Sequence, residues 1–155
     1  MGRLVAQALG ATFSDVDECI ERDERQSVTR IFAERGEAAF RTTERVCVES
    51  LLAATPGVIA PGGGWAAQQG GLESLKGRGF AVHLDTTPDE ASRRVASHGH
   101  RPLLAGGEPD EKMRGLSAAR RAFYERADAV VKTDARTPEE VALEVVALAR
   151  SAGGW

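Results

Sequence analysis

Two carboxylates separated by one residue, Asp15 and Asp17, are the first groups along the chain whose type and placement could serve chemistry. They follow a short strand pattern at residues 11–13, and in an open α/β sheet the ligand crevice lies beyond the carboxyl ends of the strands. Two more positions meet that criterion: Gly62-Gly63-Gly64 after the apolar run Val58-Ile59-Ala60, and Asp85 after the strand pattern of residues 80–84. A carboxylate at a strand end can bind Mg²⁺ through water or accept a hydrogen bond from a substrate hydroxyl. Glycine there lets the backbone approach a ligand that a Cβ would exclude. The same aspartates also suit capping and turn formation, so residue type alone leaves both readings open.

Arginines form the second set of candidates. Arg41 lies in a long helical pattern, Arg94 precedes a Gly-rich stretch, Arg101 opens Arg101-Pro102-Leu103-Leu104, and Arg120 lies beyond it. A guanidinium offers a fixed fork of donors that fits carboxylate or phosphate oxygens two at a time. Taken singly, an arginine is more often a surface residue than a ligand contact. Arg101 stands above the rest because a rigid proline and an apolar leucine pair follow it inside a flap-like segment. His83, His98 and His100 have neither metal-ligand nor triad spacing, and His83 reads as a structural residue of a strand. Cys19 and Cys47 are isolated from other Cys or His and read as buried free thiols.

The elements that must hold these groups follow from periodicity and start signals. Residues 2–9 read as an uncapped helix ended by Gly10, residues 17–23 as a second helix, and Ser27 as the cap of a third carrying Val28, Ile31 and Phe32 on one face. Gly36 interrupts that helix, and residues 37–53 continue with Phe40, Val48, Leu51 and Leu52 as core. A strand at 58–60, a weaker helix at 68–76 and a strand at 80–84 come next. Thr87-Pro88-Asp89-Glu90 then starts a helix to about residue 95. Glycine, proline and histidine crowd residues 97–111, as in a flap, before helical pattern resumes to residue 126. A strand at 129–132 and a helix begun by Thr137-Pro138-Glu139-Glu140 close the chain, and the Gly153-Gly154-Trp155 tail is expected to fray. Strands alternating with helices imply a parallel sheet covered on both faces.

Composition agrees with one domain over residues 1–155. A hydrophobic share of 42% in 155 residues supplies a core without disulfides or a structural metal. A net charge of −3 argues against nucleic acid as partner, and no apolar run is long enough to cross a membrane or to form a signal peptide. The expectation is a soluble, cytoplasmic protein acting on a small anionic molecule.

Taken in order, several of these pieces resemble the shikimate kinase family. They are Gly2-Arg3-Leu4, Asp15-Val16-Asp17, Ile31-Phe32 with Gly36-Glu37-Ala38-Ala39-Phe40-Arg41, Gly62-Gly63-Gly64, Arg101-Pro102-Leu103-Leu104, and the region from Arg120 to Tyr124. The resemblance implies an α/β fold of P-loop kinase type, a parallel sheet between helices on both faces. It implies transfer of the ATP γ-phosphate to the 3-hydroxyl of shikimate, with ATP and Mg²⁺ as cofactors. Asp17 is then similar to the carboxylate that holds and polarises the hydroxyl, and Arg41 and Arg120 to the clamp on the shikimate carboxylate. Gly62, Gly63 and Gly64 resemble the turn that brings backbone against the ring. Asp15 resembles the residue that organises Mg²⁺ through water, Arg101 the catalytic flap arginine that closes over the moving phosphate, and Arg94 and Arg136 contacts on the nucleotide side.

Three departures from that pattern set further expectations. Ala122 stands where the family has proline before an apolar-Tyr pair, a change that could loosen the turn carrying Arg120, and Trp65 either fills a neighbouring pocket or crowds the substrate. No GK[ST] triplet occurs in the sequence, so an N-terminally truncated chain is expected, lacking the central first strand and the phosphate loop and impaired as a catalyst. An inactive shikimate-binding or regulatory module and a related small-molecule kinase such as a gluconate kinase are the alternatives. A monomer is expected for the complete enzyme, and self-association through open sheet edges for a truncated one.

Overall fold

The computed structural model describes residues 1–96 and 109–155. Helix α1 (Gly2–Leu9) starts without a side-chain cap and ends where Gly10 turns left-handed at φ 66°. It lies directly on strand β1 (Thr12–Asp15), since a Cβ on Gly2 would sit 2.3 Å from the Phe13 ring. Asp15 ends the strand and caps helix α2 (Val16–Glu24), accepting from the N–H groups of Asp17 and Glu18. Ser27 caps α3 (Val28–Leu52) through the Arg30 N–H, and the predicted break at Gly36 is a kink at φ 78° inside one long element. Strand β2 (Gly57–Ala60) runs into the short helix α4 (Gly63–Ala66).

The weak helix expected at 68–76 is not formed. Gly70 turns left-handed at φ 83°, Gly71 packs so closely on the Trp65 carbonyl that a Cβ would lie 2.6 Å from it, and only a 3₁₀ turn at Leu72–Leu75 survives. Strand β3 (Val82–Asp85) and helix α5 (Pro88–Ala96) follow, then α6 (Pro109–Tyr124), β4 (Ala129–Lys132) and α7 (Pro138–Ser151). The tail does not fray freely, because the Trp155 indole donates to the Leu9 carbonyl at 3.3 Å.

The described strands pair in parallel as β1 with β2 and β3 with β4, each along four residues in register. Successive residues of β2 serve opposite faces, as strand geometry requires. Val58 packs against Val5, Ala142 and Val146 from α1 and α7, while Ile59 packs against a cluster of Val16, Ile20, Ile31, Phe40, Val48 and Trp65. Helix α7 also packs on β4, and α5 on α6.

The expectation of a sheet without its first strand is overturned here. The N-terminal residues, read from sequence as an uncapped helix followed by a short strand, make a packed unit of their own. Phe13 fills the space that Gly2 leaves, Arg3 binds both carboxylate oxygens of Glu18 at 2.7 and 2.8 Å, and β1 pairs with β2 from Thr12↔Gly57 to Asp15↔Ala60. Among the described residues no helix is long and apolar enough to cross a membrane.

Candidate functional site

The turn after β2 is where the candidate side chains meet. A Cβ on Gly62 would lie 3.8 Å from Asp17 Oδ1, one on Gly63 would lie 3.9 Å from Arg120 Nη1, and one on Gly64 would fall 2.3 Å from Arg41 Nη2. Three successive glycines therefore face acids from α3 and α2, with Glu44 Oε1 the nearer to Gly62 at 3.1 Å, a cation from α6 and a cation from α3. The Gly64 position leaves no room for any side chain unless Arg41 moves. Arg41, Gly64 and Arg120 line one cavity of about 550 Å³, together with Glu37, Gln68 and Phe123.

Arg41 is aimed by carboxylates at helical spacing. Its Nη1 donates to Glu44 Oε2 at 2.8 Å, and Nε and Nη2 donate to Glu37 Oε1 at 3.2 and 3.0 Å. Burial works against the Arg41 cation, but Glu44 and then Glu37 outweigh it and raise its pKa. Glu44 is fully buried and its Oε2 also accepts from Gln68 Nε2 at 2.8 Å, whereas Oε1 accepts no hydrogen bond among the described residues. Burial pushes the Glu44 carboxyl above its ordinary range and the Asp17 charge adds to the push, with Arg41 and Gln68 pulling the other way. Sequence reasoning passed over Glu37, Glu44 and Gln68. Their spacing of four and three residues from Arg41 was the available signal for the two glutamates.

Helix α6 is tied to the turn as well. Tyr124 Oη donates to the Gly63 carbonyl at 2.8 Å, and its ring stacks on His83 with centroids 4.7 Å apart. Burial lowers the His83 pKa, in keeping with its structural reading. The loosened turn expected from Ala122 is not seen, since α6 runs unbroken past Arg120 to Tyr124. Trp65 is 4% exposed in the core cluster, so it fills a pocket beside the turn.

The remaining candidates lie elsewhere. Arg94 donates to Glu90, to the Thr133 hydroxyl and to the Thr133 carbonyl, while Arg136 donates to the carbonyls of Lys132 and Glu140 and to Glu144. Both thus grip the chain at the end of β4. Arg101 and most of the 97–111 flap lie outside the described residues. Among the described residues no group of three or more His, Cys, Asp or Glu side chains could by itself hold a metal ion. Asp15 offers one carboxylate at a strand end with Oδ1 engaged at the α2 N-terminus, a donor set that suits Mg²⁺ only when phosphate oxygens and water complete the shell.

Comparison with known proteins bears on this arrangement. The family model described as shikimate kinase matches residues 1–150. The chain belongs to the shikimate kinase family. A shikimate kinase from Symbiobacterium thermophilum is 39% identical over 149 residues, covering 94% of this chain and 86% of that one. One from Salinispora tropica is 42% identical over 149 residues, covering 96% and 88%. Among solved structures, the Acinetobacter baumannii shikimate kinase in complex with shikimate superposes with a TM-score of 0.91 at 34% identity, over 97% of this chain and 84% of that one. The Aquifex aeolicus enzyme gives 0.82 at 33% identity, over 99% and 90%. A match running from residue 1 to residue 150, with α1 and β1 both formed inside it, overturns the expectation of a domain without its first strand, while the sequence holds no GK[ST] triplet. The impairment inferred from a missing first strand is not supported by these matches.

Proposed function

We propose that the chain is a cytoplasmic shikimate kinase that binds shikimate in the cavity at the triple-glycine turn and transfers the γ-phosphate of ATP to its 3-hydroxyl. The observation that carries this reading is the convergence of Asp17, Arg41 and Arg120 on Gly62-Gly63-Gly64. Membership of the family implies ATP and Mg²⁺, and the Acinetobacter baumannii relative is recorded in complex with shikimate.

In this reading Arg41 and Arg120 bind the shikimate carboxylate from two sides of the cavity. Two cations from different helices fix the ring in orientation as well as position. Gly63 and Gly64 let backbone meet the ring where a Cβ would collide with Tyr124 or Arg41. Asp17 accepts the hydrogen bond of the 3-hydroxyl, aligns it for in-line attack and takes its proton as the bond to phosphorus forms. Asp15 is the residue that would hold Mg²⁺ through water; when bound, that ion supplies neutralisation of phosphate charge. The family resemblance implies for Arg101, outside the described residues, a contact with the transferring phosphate. Arg94 and Arg136, whose donors engage the end of β4, shape the nucleotide side.

The test is shikimate-dependent ADP release with ATP and Mg²⁺, joined to calorimetric titration of shikimate. One ADP per shikimate consumed, with phosphorus coupled to the ring proton at carbon 3 in NMR, is the expected result. Absence of both shikimate heat and ADP release would overturn the reading.

A further inference from the structure

Arg41 reaches the cavity with its guanidinium held by two acids of its own helix: Nε and Nη2 donate to the exposed Glu37, and Nη1 donates to the buried Glu44. Glu44 takes its second donor from another part of the chain. Gln68 Nε2 donates to Glu44 Oε2 at 2.8 Å, the same oxygen that accepts from Arg41. The segment after the triple-glycine turn seats Gln68 for this contact. Trp65 is sunk in the core, its carbonyl accepts from the Gln68 N–H at 3.0 Å, and the Gln68 carbonyl accepts from the Gly71 N–H at 3.0 Å. With both of its backbone groups engaged, Gln68 turns a half-buried side chain toward α3 and lines the cavity beside Arg41 and Gly64.

We propose that Gln68 is a positioning residue for shikimate binding, fixing Glu44 so that Glu44 can fix Arg41 on the substrate carboxylate. The inference deepens the proposed function and rests on it. A side-chain amide donating to a carboxylate makes a charge-assisted bond, and losing such a donor costs most where the acid is buried. Glu44 has little in reserve, because its Oε1 accepts no hydrogen bond among the described residues. Without Gln68 the acid is freer to turn and is protonated at a higher pH, and both weaken the counter-charge that aims Arg41.

The charged groups around Glu44 give this role a pH readout. Burial raises its pKa and the Asp17 charge on α2 adds to the rise, while Arg41 and Gln68 oppose it. Arg120 on α6 faces Gly63, one residue beyond the glycine that meets Glu44. Removing the Gln68 donor lets Glu44 keep its proton to higher pH. On the acid side, shikimate binding should then begin to weaken at a higher pH than in the native chain.

The experiment compares the full native chain with Gln68→Met, which keeps the side-chain length without a donor, and with Gln69→Met at the exposed neighbouring residue. It reads kcat, the KM of shikimate and of ATP, melting temperature, and calorimetric shikimate affinity as a function of pH. Gln68→Met is expected to raise the shikimate KM about fivefold, with kcat and the ATP KM within about twofold, and to move the acid limb of shikimate affinity to higher pH. Gln69→Met should leave the shikimate KM and that limb in place. In a Glu44→Met background, which has no acid to hold, Gln68→Met should add less than about twofold. Where Gln68→Met does not fold, Gln68→Ala carries the same test. A native shikimate KM or an unmoved acid limb in the folded Gln68 variant, whatever its melting temperature, would overturn this inference alone. So would a rise in KM that persists undiminished in the Glu44→Met background. A native chain that gives neither shikimate heat nor ADP would overturn the proposed function and this role together.

Discussion

Arg41 and Glu44 stand one helical turn apart on α3, joined Nη1 to Oε2 at 2.8 Å, with the Glu44 side chain 0% exposed. A buried carboxylate is costly unless a cation and further donors compensate it, and Glu44 has Arg41 and Gln68 on one oxygen only. The acid that orients the cavity-lining Arg41 is therefore held at a cost to the fold.

That cost has a pH signature. The folded-state pKa of Glu44 is raised above 4.5, so as pH climbs past that value the unfolded chain releases its proton before the folded one does. Over that window the folded state binds more protons, and the contribution of this group to stability falls as pH rises until the folded pKa is passed. Glu44→Gln carries no such proton. Urea unfolding from pH 4.5 upward should show the native chain losing ground against Glu44→Gln until the folded pKa is passed, after which the difference levels off. A difference that stays level, or moves the other way, would show that Glu44 is not buried as described.

Gly64 and Gly70 should respond oppositely to alanine. At Gly64 the new Cβ would meet Arg41 Nη2 at 2.3 Å, whereas at Gly70 it meets nothing within 4 Å but must adopt φ 83°. Gly64→Ala is expected to raise the shikimate KM about tenfold or more, a loss of at least about 1.4 kcal/mol of binding, with little change in melting. Gly70→Ala is expected to cost about 1 kcal/mol of stability or more and leave KM unchanged. Equal effects on KM would separate Arg41 from the substrate.

Tyr124→Phe removes the hydroxyl that joins α6 to the Gly63 carbonyl while keeping the ring on His83. The expected loss is about 1 kcal/mol in denaturant unfolding. A rise of a few-fold in shikimate KM should accompany it, because the same helix carries Arg120. Unchanged KM with lowered stability would make this contact purely structural.

Local signals carried most of the fold. Thr137 and Glu140 form the reciprocal cap that their spacing predicts, at 3.2 and 2.8 Å, and β4 occupies the residues its apolar run marks. The helix at 68–76 failed because periodicity cannot register the close approach of Gly71 to the Trp65 carbonyl. Asp17, Arg41 and the glycines were legible as groups following strands or carrying charge. Glu44 was not, since a charged residue in a helix reads as solvent-facing until its burial is known. The expectation of a lost first strand leaned on an absent GK[ST] triplet, and the absence of a motif carries no information about the helix and strand that Gly2, Phe13 and Thr12 build locally.

Asp17 and Asp15 divide the work of two neighbouring carboxylates. Asp15 Oδ1 is committed to the α2 N-terminus through the N–H groups of Asp17 and Glu18, whereas Asp17 Oδ1 lies toward the Gly62 turn. A general base that also aligns its hydroxyl contributes about 10²–10⁴-fold, so Asp17→Asn should lower kcat by that order while shikimate still binds through Arg41 and Arg120. Asp23→Asn, which breaks only an exposed pair with Arg22, is the matched control and should leave kcat within about twofold. Stopped assays with calorimetric titration of each variant separate the two terms. If both substitutions depress kcat alike, or if Asp17→Asn abolishes shikimate binding instead of turnover, the carboxylate at the glycine turn is not the base.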